Sequence, residues 1–325
     1  MIQDKAHLSK LVNFGFLSGI TKSVNTEQEF PVYHYTSTDG LIGILTRKEL
    51  WLGNIDDLND ITELNYGFDN IIIPAIDSSN EISEESRQKV KSLIADVRNK
   101  NFSLTKAQDA YKCSVNIFVF STSTNGNAYT MWSNYSKNDN KAGYAISLDK
   151  SEVTEAIISA LNQRTETPTS IISNYFLSGK IVYNVDDQKR LVEDYLSLLE
   201  YNLENKSEEF KDIIYNAFVE GLLVLALFMK DEEFSKESEY RYIVLLADES
   251  TDLDDTRKPY LKFINVNGTI MSRLILPFDS TRIKKIVASP YIPDQDKVAQ
   301  QLQFFTRKCG ITSVDIETHI SKKIR

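Results

Sequence analysis

Cysteine, histidine, glycine and proline are all scarce in this 325-residue chain. With only two cysteines, Cys113 and Cys309, a disulfide framework is excluded. The three histidines, His7, His34 and His319, stand at no metal-ligand spacing from one another or from a cysteine, so no metal site is expected. Glycine (12) and proline (7) are too few for flexible linkers or collagen-like segments. The phosphate-cradling loops GxGxxG and GxxxxGK[ST] do not occur, nor does the GxSxG elbow, which removes the common nucleotide-binding and hydrolase signatures. The longest apolar run, Leu222 to Met229, falls well short of a membrane span. The N-terminal stretch MIQDKAHLSKLVNFGFLSGI carries Asp4 and Asn13, reads poorly as a signal peptide, and is expected to form a short helix. A cytoplasmic protein with no membrane partner is the expectation.

Acidic residues outnumber basic ones by 46 to 37, a net charge of −9, which argues against a broad basic surface but leaves room for a local basic cleft. The 42% hydrophobic content is enough to bury a core. Residues 32–52 read as strand, short helix, strand, broken at Asp39-Gly40. Asn59, Asp60 and Glu63 fall in a polar turn. Residues 83–99 form an amphipathic helix capped by Ser83, and a second short helix is expected from Thr105 to Lys112. Strands follow at Val115–Ser121, Gly143–Leu148 and Lys180–Tyr183. Residues 188–204 and 207–230 are the strongest helices, the latter apolar all round in its C-terminal half and therefore central. Strands at 237–246, 259–265, 270–276 and 283–289, a helix at 294–308 and a last strand at 312–317 complete the chain. The order predicts an α+β fold with a helical insertion.

Three clusters could carry chemistry. In Tyr33-His34-Tyr35-Thr36-Ser37, a strand would put His34 and Thr36 on one face and the two tyrosines on the other. A satisfied core histidine is the competing reading. The second cluster is Phe120-Ser121-Thr122-Ser123 followed by Tyr129, Trp132 and Tyr135, whose rings could stack on a planar ligand or simply pack a corner. The third is Glu237-Ser238-Glu239-Tyr240-Arg241. As a strand it would set both carboxylates and the guanidinium on one face, running into the apolar Tyr242 to Leu246. Charge so placed is costly unless paired or functional.

The stretches VYHYTSTDGLIGIL, ELWLGNIDDLNDITE, IFVFSTSTN, MWSNYS, GYAISL, FMKDEEFSKESEYRYIV and IKKIVASP, in order from residue 32 to about 290, resemble a bacterial domain of unknown function, family 2971. That family in turn resembles the ADP-ribosyltransferase superfamily, including DarT-type DNA toxins and tRNA 2′-phosphotransferases. Their first strand carries a His followed by an aromatic or Thr and then a short helix, here His34-Tyr35-Thr36 and Gly40 to Leu45. The resemblance implies an ADP-ribosyltransferase-like split mixed or antiparallel sheet over residues 31–325, after an N-terminal helical lead-in (1–30), with a helical insertion at about 150–230.

It further implies NAD as substrate and a macromolecular acceptor, nucleic acid or protein, in the manner of a toxin or antiphage effector with a cognate antitoxin or effector partner. Glu239 would bind the ribose and stabilise the oxocarbenium-like centre. Glu237 would act as base toward the acceptor. His34, with Tyr35, Thr36 and Ser121, would hold the cofactor, and one of Tyr129, Trp132 and Tyr135 would stack on nicotinamide. Arg241 would orient the glutamates or meet a phosphate. The ESE sequence matches the ExE of arginine-modifying members, whose first strand has Arg instead of His, so the target residue type stays open. NAD hydrolysis without transfer, or a non-enzymatic nucleotide- or protein-binding module, are the alternatives.

Overall fold

The computed structural model describes residues 15–20, 24, 29–55, 61–99, 104–108, 111–136, 143–162, 175–206, 208–248, 261–266 and 268–319. The side chains of Tyr135 and Glu63, and Asn59 and Asp60 of the expected turn, lie outside the described residues, as does most of the 1–30 lead-in; Glu63 itself falls in the helix Ile61–Tyr66 and not in a turn.

β1 (Pro31–Ser37) runs straight into α1 (Thr38–Arg47) because Ser37 serves as its cap, its Oγ accepting from the Gly40 N–H at 3.2 Å. Gly40 is needed there, since a Cβ would strike the Thr36 hydroxyl. Lys48, left-handed at φ 56, closes the helix and turns the chain into β2 (Glu49–Asn54). The remaining strands are β3 (Leu104–Gln108), β4 (Tyr111–Ser123), β5 (Gly143–Asp149), β6 (Tyr175–Lys180), β7 (Glu239–Asp248), β8 (Leu261–Val266), β9 (Thr269–Pro277), β10 (Lys285–Ala288) and β11 (Asp315–Glu317).

All eleven belong to one mixed sheet, in the order β11-β10-β5-β1-β4-β2-β9-β8, with β7 on the other edge of β4 and β6 beyond it. Among the described strands only β10 and β11 run parallel. One edge of β4 pairs continuously with β7 from Ser114 to Ser123. Three strands share its other edge. β1 meets it at a single pair, Tyr33 opposite Ser123; β2 meets it at Val119 and Phe118; β3 takes the stretch from Val115 back to Tyr111. Residues 120–122 therefore face no strand on that edge among the described residues, and the sheet divides there into two wings.

Helices cover both faces. On one, residues 61–78, α2 (Ile61–Tyr66) continuing through a π-helical turn (Gly67–Ile72) into α3 (Ile73–Ser78), pack with α4 (Glu84–Asn99), α7 (Val185–Glu204) and α8 (Lys211–Ala226) on Ile117, Val119, Ile243 and Leu245. The chain is buried without a break from Gly221 to Lys230, as its all-round apolarity predicts. Each buried Leu, Val, Phe or Met in this run contributes about 1.5–3 kcal/mol. On the other face, α1, α6 (Lys150–Asn162) and α9 (Gln295–Lys308) cover Phe118, Phe120, Ile146, Tyr240, Tyr242 and their neighbours. The helical stretch at about 150–230 is thus divided between the faces, and 61–99 supplies half of one layer. α5 (Tyr129–Ser136) packs on β1 and β5 through Trp132.

Two local expectations are corrected. Residues 105–108 and 111–112 are not helical but belong to β3 and the start of β4, joined by five cross-strand pairs; 109–110 lie outside the described residues. Lys106, Ala107 and Gln108 favour helix intrinsically, but the backbone groups of the long β4 need a partner, and that need prevails. The strand expected at 180–183 lies earlier, as β6. Past it the chain changes partners: Val182 N–H donates to Phe228 O at 2.8 Å, and Lys230 N–H donates to Val182 O at 3.3 Å.

Candidate active site

The break in the edge of β4 is where the predicted residues gather. Ser121 lies in it, solvent-exposed. From one side of the sheet the His34 ring reaches across and lies 4.6 Å from Phe120 at 28°, stacked. Its Nδ1 sits 3.3 Å from the Ser121 carbonyl oxygen. A carbonyl only accepts, so Nδ1 carries the proton and Nε2 is left as an acceptor. Burial lowers the His34 pKa from 6.5 to about 4, against a smaller upward pull from the Ser121 carbonyl, so the imidazole is neutral at pH 7. On the other side the Ser121 side chain lies near the Glu239 carboxylate and helps to hold it ionised. His34 and Glu239 lie on opposite faces by the strand pleat, yet both end on the two polar ends of one serine.

Glu239 is buried and belongs to a four-charge cluster. Arg241 grips it in a bidentate pair, Nε–Oε1 2.6 Å and Nη2–Oε2 2.9 Å. The Lys230 ammonium lies 3.6 Å from Glu239 Oε2 and donates to Glu237 Oε2 at 2.6 Å. Burial alone would raise the Glu239 pKa; Arg241, Lys230 and Ser121 together outweigh it, so the group is held below the ordinary value and is ionised. Arg241 also donates from Nη1 to the carbonyl of Leu227 at 2.8 Å, at the C-terminal end of α8 where cations are favoured.

Glu237 reaches this cluster by a different route from the one its spacing suggests. It does not lie on β7. It ends a 3₁₀ segment (Glu232–Glu237), and Ser238, left-handed at φ 47, turns the chain into the strand. The Ser/Thr run on β4 secures that turn. Thr122 Oγ1 donates to Tyr240 O at 2.8 Å, Ser123 Oγ to Glu237 O at 2.6 Å, and Thr124 N–H to Ser238 O at 2.8 Å.

The remaining predicted residues separate. Tyr35 is buried on the face opposite His34, where its hydroxyl donates to Asn125 O and accepts from Ala128 N–H, both at 2.8 Å, pinning the loop before α5. Thr36 is buried near the end of β1. Trp132 is buried, its ring edge-on to Tyr35 at 4.6 Å and its Nε1 donating to Asn127 Oδ1 at 2.9 Å, so it is part of the packing. Tyr129 is 72% exposed and sits 6.1 Å from Tyr291. Among the described residues no three His, Cys, Asp or Glu side chains form a metal-ligand group, and no helix is long and apolar enough to cross a membrane.

Sequence reasoning passed over Lys230, Gln188 and Tyr183. Gln188, on α7, is fully buried. Its Nε2 donates to Val182 O at 2.6 Å and Lys230 O at 2.8 Å, and its Oε1 accepts from Tyr66 at 3.1 Å. The chain is thereby fixed where Lys230 emerges. Tyr183 accepts from the Glu239 N–H at 2.9 Å. The one signal for Lys230 in the sequence is a cation closing the apolar run that ends at Met229.

Residues 131–242 match a family of proteins of unknown function, DUF2971. The DUF2971 match covers about a third of the 325 residues. It takes in Trp132, Lys230 and the whole Glu237 to Arg241 segment, and leaves His34 and Ser121 outside. It is shorter than the ordered set of stretches from 32 to about 290. No curated protein and no solved structure matches the chain.

Proposed function

We propose that this protein is an NAD-dependent ADP-ribosyltransferase acting on a nucleic acid or protein, as a toxin or antiphage effector. The observation that carries this reading is the ionised Glu239, held by Arg241 and Lys230 beside the break in the sheet that His34 reaches from the other face. A divided sheet with a histidine from its first strand and an ionised glutamate from a late strand is the arrangement the superfamily resemblance leads one to expect.

In the proposed reaction the bond between nicotinamide and ribose breaks, and its electron pair leaves with nicotinamide. The ribose carbon becomes oxocarbenium-like, and an acceptor nucleophile bonds to it and gives up its proton. Glu239, kept ionised, would bind the ribose 2′-hydroxyl and stabilise the developing positive charge. Glu237, on the same ammonium, would receive the acceptor proton. His34, whose ring lies on the opposite face, would act from that side of the break, its Nε2 accepting a hydrogen bond from the cofactor. Incubation of NAD labelled in its adenylate part with cell extract should give a labelled macromolecule and free nicotinamide, both lost in Glu239→Gln. Nicotinamide release without label would make the protein an NAD glycohydrolase.

A second reading, a non-enzymatic nucleotide- or protein-binding module, is favoured by one observation. The Glu239 carboxylate already has Arg241, Lys230 and Ser121 as partners and needs to exchange one of them to meet a substrate. NAD binding by calorimetry with neither label nor nicotinamide release would decide for that module.

A further inference from the structure

The three aromatics that the sequence offers for stacking are not the ones beside the carboxylates. Trp132 is spent in packing, and the Tyr129 ring is engaged with Tyr291. Phe234, on the 3₁₀ segment 232–237, is different. The Lys230 ammonium lies over its ring, 4.9 Å from the centroid, and that same ammonium touches Glu237 and approaches Glu239. Phe234 is nevertheless 39% exposed. Its sequence neighbours Asp231, Glu232, Glu233, Ser235 and Lys236 are polar, so hydrophobic burial does not account for a large aromatic at this point.

We infer that Phe234 is the aromatic wall of the site and stacks on a planar, positively charged ring, the pyridinium class to which the nicotinamide end of NAD belongs. The inference rests on the NAD reading for the identity of the substrate and on the geometry for the residue. An aromatic face attracts a cation, as it already attracts Lys230. The carboxylates of Asp231, Glu232 and Glu233 on the same turn add a local negative field. A cationic ring held against Phe234 in place of the Lys230 ammonium would take up that ammonium's position, which touches Glu237 and approaches Glu239. The segment is anchored at both ends, by the Asp231 carboxylate accepting from Glu233 N–H at 3.0 Å and by the left-handed Ser238, so the ring is presented on a fixed turn.

Two probes, NAD and 1-methylnicotinamide, test this by calorimetry on the full chain and on Phe234→Ala and Phe234→Trp. Phe234→Ala should weaken both probes about tenfold while leaving the melting temperature within a few degrees. Phe234→Trp should restore affinity and add a tryptophan signal that either probe quenches, beyond that of Trp51 and Trp132. If the wild type binds NAD and Phe234→Ala binds it equally well, the inference is overturned and the NAD reading stands. If 1-methylnicotinamide binds in a Phe234-dependent way but NAD is neither bound nor turned over, the wall stands and the NAD reading falls. Binding of neither probe overturns both.

Discussion

Along the face of β7 that meets the helical layer, Glu239 and Arg241 give way within one pleat to Ile243 and Leu245. The backbone partner is the same for both halves, since β4 pairs with β7 from end to end. The apolar half is held by non-directional packing against α7 and α8, and its side chains could be exchanged for others of like volume. The charged half depends on geometry. Its ions are out of water, so each must keep its partners within hydrogen-bond distance or become a cost. The contrast identifies the charged end as the part of the strand that packing alone does not explain.

The largest test removes one partner from the charged half. Arg241→Met leaves Glu239 buried with Lys230 at 3.6 Å as its remaining nearby cation, and should destabilise the fold by about 3–5 kcal/mol in urea titrations. The double variant Arg241→Met with Glu239→Gln should recover part of that loss, because the stranded charge is gone. Arg241→Lys should not rescue, since an ammonium cannot reproduce the bidentate grip. Equal stability of Arg241→Met and wild type would mean the pair is not buried as described.

The matching change in the apolar half is Ile243→Ala, expected to cost about 2–4 kcal/mol through lost burial and a cavity. Ile243→Val should cost about 1 kcal/mol, so here the conservative swap does rescue. If Arg241→Lys were tolerated as well as Ile243→Val, the two halves would not differ in kind.

The strands were legible because they alternate. Val32, Tyr33, His34 and Tyr35 take the faces their spacing assigns, and β2, β5 and β9 fall within a residue or two of their expected limits. What could not be read is whatever depends on partners distant in sequence or on one backbone angle. Trp132 and Tyr35 have the composition of ligand-stacking residues, and only the hydrogen bonds to Asn125, Asn127 and Ala128 reveal them as packing. Lys230 looks like the polar end of a greasy helix until Glu237 and Glu239 fold back onto it. The ExE spacing singled out two carboxylates that share the Lys230 ammonium but implied a straight strand, and a left-handed serine is not visible in a string of letters.

Smaller effects come from proton binding. His34 has its pKa lowered from 6.5 to about 4 in the folded chain, so between those values the unfolded chain holds a proton that the folded one does not. Stability from this group is therefore fully present above pH 6.5 and lost as pH falls toward 4. Glu239, whose pKa is lowered from 4.5, gives its contribution above that value and loses it only at more acid pH. His34→Phe should flatten the decline between pH 6.5 and 4 while leaving the steeper acid limb, and Glu239→Gln should do the reverse. Urea midpoints at half-unit pH steps separate the windows, and an unchanged profile in His34→Phe would place the ring in water.

The smallest effect concerns the joint between the two glutamates. Ser238 holds φ 47, a region where a side chain bearing Cβ is strained by about 1–2 kcal/mol. Its carbonyl is fixed by Thr124, and Ser123 fixes the carbonyl before it, so the surroundings enforce the conformation rather than Ser238 itself. Ser238→Gly relieves the strain but gives the unfolded chain more freedom, and the balance should stabilise the protein by about 0.5–1 kcal/mol. Ser238→Val, β-branched, should destabilise it by more than that. The strain is what lets Glu237 and Glu239, two residues apart, address one ammonium from a 3₁₀ turn and a strand. If Ser238→Gly raises the melting temperature and also lowers NAD turnover, the rigid kink serves the site. If it raises stability with turnover unchanged, the cluster of charges positions the carboxylates without help from the backbone.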